Sequence, residues 1–164
     1  MQQIGEILID SLEFAHERRR LSGILPVGSL SRLADMLADD ADSLSWVVSG
    51  EHDADHKPFL VIEVAGELQL KCQRCLGALQ HGLRIRSRLQ LVPKGAAWPD
   101  ENLEDDRVDP IEALANQSVL DLLEDEVLLA LPIAPRHGTC LTPGYDDGSA
   151  VVSPFATLAK LKKH

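Results

Sequence analysis

The chain has 164 residues, 45% of them hydrophobic, and a formal net charge of −10; this size and composition suit one globular domain over residues 1–164. The absence of an apolar run of about 18 residues excludes a membrane-spanning helix, and the acidic balance argues against a protein that coats nucleic acid non-specifically. Because three cysteines cannot all pair within one chain and residues 1–6 do not resemble a secretory signal, we expect a cytoplasmic protein.

The first part of the chain predicts short elements. Residues 7–9 favour a strand, and Asp10 with Glu13 three positions later predicts the start of a helix that runs to Leu21. A second short helix is predicted from Ser29, because apolar residues follow it at helical spacing.

Three strands are predicted in the middle of the chain, at residues 44–49, 59–72 and 83–91. In the second strand the even-numbered residues are apolar, and in the third the odd-numbered ones are. An antiparallel hairpin with an odd index sum therefore buries both apolar sets on one face. A sum near 153 sets Leu70 opposite Leu83 and leaves a Cys-x-x-Cys turn at the hairpin tip.

The third strand carries a basic row on its outer face, which consists of Arg84, Arg86 and Arg88. The predicted register sets Glu67 opposite Arg86, so the ordinary interpretation is a solvated face with cross-strand ion pairs. The alternative is a contact with RNA phosphate or with an acidic partner, because few acids face the three arginines.

Charge is divided sharply along the chain. Residues 71–94 contain six basic residues and no acid, whereas residues 100–126 contain eleven acids and one arginine. A mobile acidic loop is predicted at about residues 96–110, and a mobile Gly-rich segment at about residues 138–153. A short amphipathic helix is predicted at residues 153–161.

The most regular predicted helix covers residues 119–131, with Ser118 as its N-cap and Pro132 at its end. Its charged face is predicted to consist of Asp121, Glu124 and Asp125. Because the alternating strands lack a strand–helix–strand rhythm, the sequence predicts an α+β fold: an antiparallel sheet of about four to six strands with a long central hairpin and few helices on one face.

The thiols Cys72 and Cys75 admit three interpretations. A redox dithiol would open a helix after a strand, whereas this pair is predicted on a hairpin turn. A zinc site needs two more ligands, and His137 with Cys140 supplies a second pair with the same two-residue gap. His81 competes for the fourth position, since the predicted register sets it opposite Cys72. Without metal, the three cysteines would be free and partly buried.

Several segments occur together in an order that is specific as a set: Cys72-Gln73-Arg74-Cys75, then residues 122–137 followed by Cys140, and residues 154–162. Together they resemble the YceD family of large ribosomal RNA subunit accumulation proteins. The resemblance implies a bacterial cytoplasmic protein needed for synthesis, processing or stability of 23S ribosomal RNA, with no established catalytic activity. It also implies that the four candidate metal ligands stand at matching family positions.

Two functions of different classes follow. The first is a non-enzymatic ribosome-biogenesis factor that binds 23S ribosomal RNA or its precursor, or a basic ribosomal protein, without a membrane or a small-molecule substrate. Its predicted contact residues are Arg74, Arg84, Arg86 and Arg88. The second is a thiol-dependent redox or RNA-modifying enzyme that uses Cys72 and Cys75.

Overall fold

The computed structural model describes residue 4 and residues 7–99 and 108–142. The strands are β1 (Leu8–Ile9), β2 (Arg20–Pro26), β3 (Leu37–Asp39), β4 (Ser43–His52), β5 (Pro58–Lys71), β6 (Ala78–Val92), β7 (Asp109–Glu112) and β8 (Gln117–Ser118). The α-helices are α1 (Ser11–His16) and α2 (Val119–Ala130), and two 3-10 helices cover Val27–Ser29 and Ser31–Met36. No helix in these ranges is long and apolar enough to cross a membrane.

One large sheet dominates the described structure, with the strand order β2-β4-β5-β6-β7 and β3 beside the end of β5. Its neighbours pair antiparallel, except that β7 runs parallel to β6. Strands β1 and β8 form a separate antiparallel pair. The predicted α+β class and the long central hairpin, now β5 and β6, are confirmed.

The hairpin has the predicted parity but not the predicted register. Leu70 pairs with Leu79 rather than with Leu83, which lies opposite Gly66. The difference arises at the turn, where the Cys72 N–H donates to the Gly77 carbonyl at 2.9 Å and closes the hairpin tightly. Because side chains alternate along a strand, a shift by an even number of residues leaves the apolar set on the core face.

Helix α1 begins where predicted and ends earlier. Asp10 caps it by accepting a hydrogen bond from the Glu13 N–H at 3.0 Å. The helix ends at His16 instead of Leu21, and Arg18 reverses the chain with a φ of 51°. The following residues then join the sheet as β2.

Gly50 of β4 allows α1 to pack against the sheet. A Cβ atom at this position would collide with the carbonyl oxygen of Phe14 and with the backbone of Ala15. The Gly50 N–H also donates to the Arg19 carbonyl at 2.8 Å. Helix and strand backbones are therefore in direct contact here, and only glycine leaves the space.

The second predicted helix is replaced by the two 3-10 helices. Leu30, Leu33 and Leu37 are buried as the apolar spacing predicts, whereas Ala34 is exposed. The buried leucines join the core between the sheet and the α-helices, together with Phe14 of α1 and other apolar residues.

Helix α2 has the predicted N-cap, since Ser118 accepts from the Asp121 N–H at 3.2 Å. The predicted charged face is wrong at Glu124, which is only 4% exposed. Its carboxylate accepts from the backbone N–H and from Nε of Arg32, each at 2.7 Å. A partner distant in sequence therefore buries a carboxylate that local spacing assigns to solvent.

The predicted mobile segments lie largely outside the described residues, which omit residues 100–107 and 143–164. Of the predicted acidic loop at about 96–110, the structure describes residues 96–99 and 108–110, and β7 begins at Asp109. The helix predicted at 153–161 also falls outside the described part of the chain.

Candidate metal centre

The hairpin tip is held in one conformation by its own backbone. The Leu76 N–H donates to the Cys72 carbonyl at 2.9 Å, and Leu76 itself adopts a φ of 60°. The segment that follows α2 returns to this turn, where the Gln73 N–H donates to the Pro135 carbonyl at 2.8 Å. This contact brings residues 137–140 beside the cysteine pair.

Four potential metal ligands converge at the tip: Cys72, Cys75, His137 and Cys140. Their ligand atoms all lie within 4.8 Å of one another. The Cys72 and Cys140 sulfurs are 3.8 Å apart, and the Cys75 sulfur is 3.3 Å from Nδ1 of His137. All three cysteines are free, and a disulfide would need sulfurs about 2.05 Å apart. The group can therefore hold a metal ion.

A backbone carbonyl orients the histidine. Nε2 of His137 lies 2.9 Å from the carbonyl oxygen of Ala78, which can only accept a hydrogen bond. The proton of a neutral ring therefore sits on Nε2, and the lone pair of Nδ1 faces the cysteines. Metal-binding histidines are commonly positioned by such a bond from the second ring nitrogen.

The environment of Cys72 favours its thiolate. Burial raises the pKa of this fully buried thiol, but hydrogen bonds from the backbone N–H groups of Cys75, His137 and Arg74 lower it, to a final value of about 5. The His137 and Arg74 N–H groups each lie 3.5 Å from the sulfur. Because the thiolate is the form that binds metal, Cys72 is prepared as a ligand.

The environment of Cys140, in contrast, favours its protonated thiol. Burial raises the pKa of its thiol, and its hydrogen bonds with the Cys72 and Cys75 thiols raise it further. One thiolate next to another is unfavourable, because like charges repel in a confined space. A cation among the sulfurs would remove this repulsion, since coordination releases thiol protons.

The observed register removes the reason for choosing His81 as the fourth ligand. His81 pairs with Leu68, well before the end of β5, and not with Cys72. His137 takes that place among the four converging residues. The sequence could not predict the role of the Ala78 carbonyl, since a backbone acceptor leaves no signal in residue type.

The predicted basic row lies on the face of the sheet away from the helices. Arg86 forms an ion pair with Glu63 at 3.1 Å, not with the predicted Glu67, because Glu63 is its true cross-strand partner. Arg88 places its guanidinium 3.9 Å from the centre of the Phe59 ring. The only sequence signal for this contact is an aromatic residue at an outward position of β5.

Arg74 belongs to the turn rather than to this row. Its backbone N–H serves Cys72, and the residue is half-buried beside the four converging ligands. The structure thus separates the predicted site residues into a group at the hairpin tip and a row along β6.

The fold and the ligand group define a class: a mostly antiparallel α+β protein with a Cys3His group at the tip of its central hairpin. Residues 60–162 match the family described as large ribosomal RNA subunit accumulation protein YceD, and the chain belongs to this family. A relative of that name from Haemophilus influenzae is 27% identical over 173 residues, covering 96% of this chain and 95% of the relative. No solved structure matches the chain.

Proposed function

We propose that this protein is a non-enzymatic cytoplasmic factor needed for the accumulation of the 23S ribosomal RNA of the large ribosomal subunit. The observation that carries the proposal is membership of the YceD family, whose match spans the hairpin, the four converging ligands and α2. The Haemophilus influenzae relative named for this role aligns with nearly the whole chain, so the proposal concerns the chain as a single unit.

The ligand group is proposed to hold a structural zinc ion. Three thiolates and an imidazole form a donor set that suits zinc, and four protein ligands leave no open position for a reactant. Two thiolates bound tetrahedrally at about 2.3 Å from zinc lie about 3.8 Å apart, which agrees with the 3.8 Å between the Cys72 and Cys140 sulfurs. Zinc would fasten the segment after α2 to the hairpin.

The alternative is a thiol-dependent redox or RNA-modifying enzyme. Such an enzyme needs a thiolate that its substrate can reach. Cys72, whose pKa is about 5, is completely buried, and the half-buried Cys75 and Cys140 lie with it in one group. This arrangement favours a ligand role for the cysteines over a nucleophilic one.

Deletion of the gene in the source organism tests the function. We expect the ratio of large-subunit to small-subunit ribosomal RNA to fall, and the wild-type gene to restore it. Unchanged ribosomal RNA in the deletion strain would show that the proposed function is wrong.

The metal is tested separately, with protein purified without a chelator. We expect about one zinc per chain and its loss in Cys72→Ser. A zinc-free wild-type protein that is fully folded would overturn the metal proposal and leave the proposed role in RNA accumulation standing.

A further inference from the structure

One face of the main sheet carries arginines on β6 next to small side chains on the neighbouring strands. This open face is defined by alternate residues of four strands, namely Arg20, Ser22, Ile24, Ser45, Val47, Ser49, Val61, Glu63, Ala65, Arg84, Arg86 and Arg88. The two described α-helices pack against the other side, where Phe14 and Leu123 enter the core. Neither helix therefore covers the open face.

A depression of about 330 Å³ lies at the centre of the open face. Ser45 and Ala65 contribute small side chains to its lining, and Arg84 and Arg86 line it on the β6 side. Glu63 completes its charged lining. The depression therefore leaves space beside Arg84 and Arg86 in which an extended polymer could contact both side chains.

The three arginines of β6 differ in how they are held. Among the described residues Arg84 takes part in no ion pair, and Ala65 lies opposite it. Arg86 pairs with Glu63, but its side chain remains 73% exposed. The ring of Phe59 fixes the Arg88 guanidinium by a cation–π contact. An exposed ion pair contributes little, so Arg86 can exchange its partner at small cost.

We propose that the open face binds the phosphodiester backbone of RNA, with Arg84, Arg86 and Arg88 each contacting a phosphate. Guanidinium groups match phosphate oxygens in bidentate geometry. Alternate residues of a strand lie about 6.7 Å apart, so the three side chains follow a line of about 13 Å that can meet successive phosphates. The inference rests on the proposed function and identifies the surface through which the factor would touch RNA directly.

The face favours the RNA backbone over its bases. Base recognition on a sheet uses exposed aromatic rings for stacking. Phe59 lies on the same side of β5 in the next row, but it is only 3% exposed beneath Arg88 and offers no free ring for stacking. The twelve residues of the open face include no aromatic side chain. Binding through arginines alone is expected to depend on salt and only weakly on sequence.

The favoured partner of this face is therefore RNA and not a basic protein. Arginines would repel a basic ribosomal protein, which the acidic remainder of the chain would attract instead. Single strands and duplexes present the same phosphodiester chemistry, so separate experiments must distinguish them.

The test measures binding of the full chain to labelled single-stranded RNA and to duplex RNA over a range of salt concentrations. Three phosphate contacts give a slope of log K against log salt of about −2 for single strands or about −2.7 for duplex. The double variant Arg84→Glu with Arg86→Glu should bind at least tenfold more weakly and with a shallower slope. The control variant Arg18→Glu with Lys57→Glu makes an equal charge change at two exposed positions outside the open face, and it should stay within about twofold of wild type.

Three outcomes would overturn the inference. The first is no binding of either RNA at low salt. The second is an equal loss of RNA binding in the Arg84/Arg86 double variant and in the charge-matched control variant. The third is an Arg84/Arg86 double variant that loses binding to a basic ribosomal protein but keeps binding to RNA. If the Arg84/Arg86 double variant fully restores ribosomal RNA in the deletion strain, the inference is also wrong, while the proposed function stands. Only unchanged ribosomal RNA in the deletion strain removes that function itself.

Discussion

Two joints connect distant segments of this chain, and they are built from different chemistry. At the hairpin tip, Cys72 and Cys75 meet His137 and Cys140 around a space suited to a metal. On the helix side, Arg32 joins α2 through the carboxylates of Glu124 and Asp125. The second joint contains both signs of charge, whereas the cysteines of the first can all become thiolates only when a cation offsets the repulsion among them.

The largest effect is expected from breaking the hairpin joint. Cys72→Ser should remove the metal and lower the free energy of unfolding by about 4 kcal/mol, because loss of a structural metal belongs to the severe class of changes. Thermal unfolding of wild type and of the variant, both purified without a chelator, measures this difference in the free energy of unfolding. A chelator should lower the stability of wild type to that of the variant and leave the stability of the variant unchanged. Equal effects of the chelator on both proteins would show that these residues do not hold a stabilising metal.

Breaking the helix-side joint should cost less. Arg32→Ala leaves the buried carboxylate of Glu124 without its cation, but the arginine is half-exposed, so we expect a loss of about 2 kcal/mol. Urea unfolding of this variant and of Arg18→Ala measures the difference. Arg18 is exposed and forms none of the described ion pairs, so comparable losses in the two variants would show that the joint contributes nothing.

Substitution of Leu76 at the hairpin tip should have a smaller effect and should raise the free energy of unfolding rather than lower it. Leu76 is 62% exposed with a φ of 60°, a conformation that asparagine adopts more readily. Leu76→Asn should therefore raise the free energy of unfolding by about 1 kcal/mol without loss of metal. Leu141→Asn replaces another exposed leucine beside the site and serves as control. If Leu76→Asn does not raise the free energy of unfolding more than Leu141→Asn does, the backbone at Leu76 is not strained.

The smallest effect concerns a second buried carboxylate on α2. Burial raises the pKa of Glu126, whose described partner is the Ser87 hydroxyl rather than an arginine. A raised pKa in the folded state means that stability is highest below the unfolded pKa, about 4.3, and is lost as the pH rises through the folded value. Glu126→Gln should remove this loss.

Unfolding curves at several pH values provide the check. Between acid and neutral pH, the free energy of unfolding of the variant should rise relative to that of wild type. Glu112→Gln replaces an exposed acid and serves as control. A constant difference across this range would show that Glu126 has the same pKa folded and unfolded.

The predictable parts of the fold are those whose cause is local. Asp10 and Ser118 cap helices because their side chains reach an N–H three residues on, which sequence spacing reveals directly. The alternation in β5 and β6 specifies the buried face for the same reason. The end of α1 does not follow from local spacing, since the close contact of the chain with Gly50 of β4 exists only in the folded molecule.

The candidate site was predictable in composition but not in arrangement. The matching two-residue gaps indicated Cys72, Cys75, His137 and Cys140 as one set, and the structure brings them together. The choice between His137 and His81 depended on a register that the turn decides, so parity alone could not make it. Local spacing assigns Glu124 to solvent, because its partner Arg32 is a neighbour only in the folded chain.

The sequence by itself determined the α+β class, the capped helices, the buried face of the hairpin and the family, because each follows from residue type and short-range spacing. Only the tertiary structure decided the hairpin register, which histidine lies beside the cysteines, the buried carboxylates of α2 and the open face of the sheet. These features depend on which distant segments meet, and the hydrogen bonds and burial that bring them together exist only in the folded molecule.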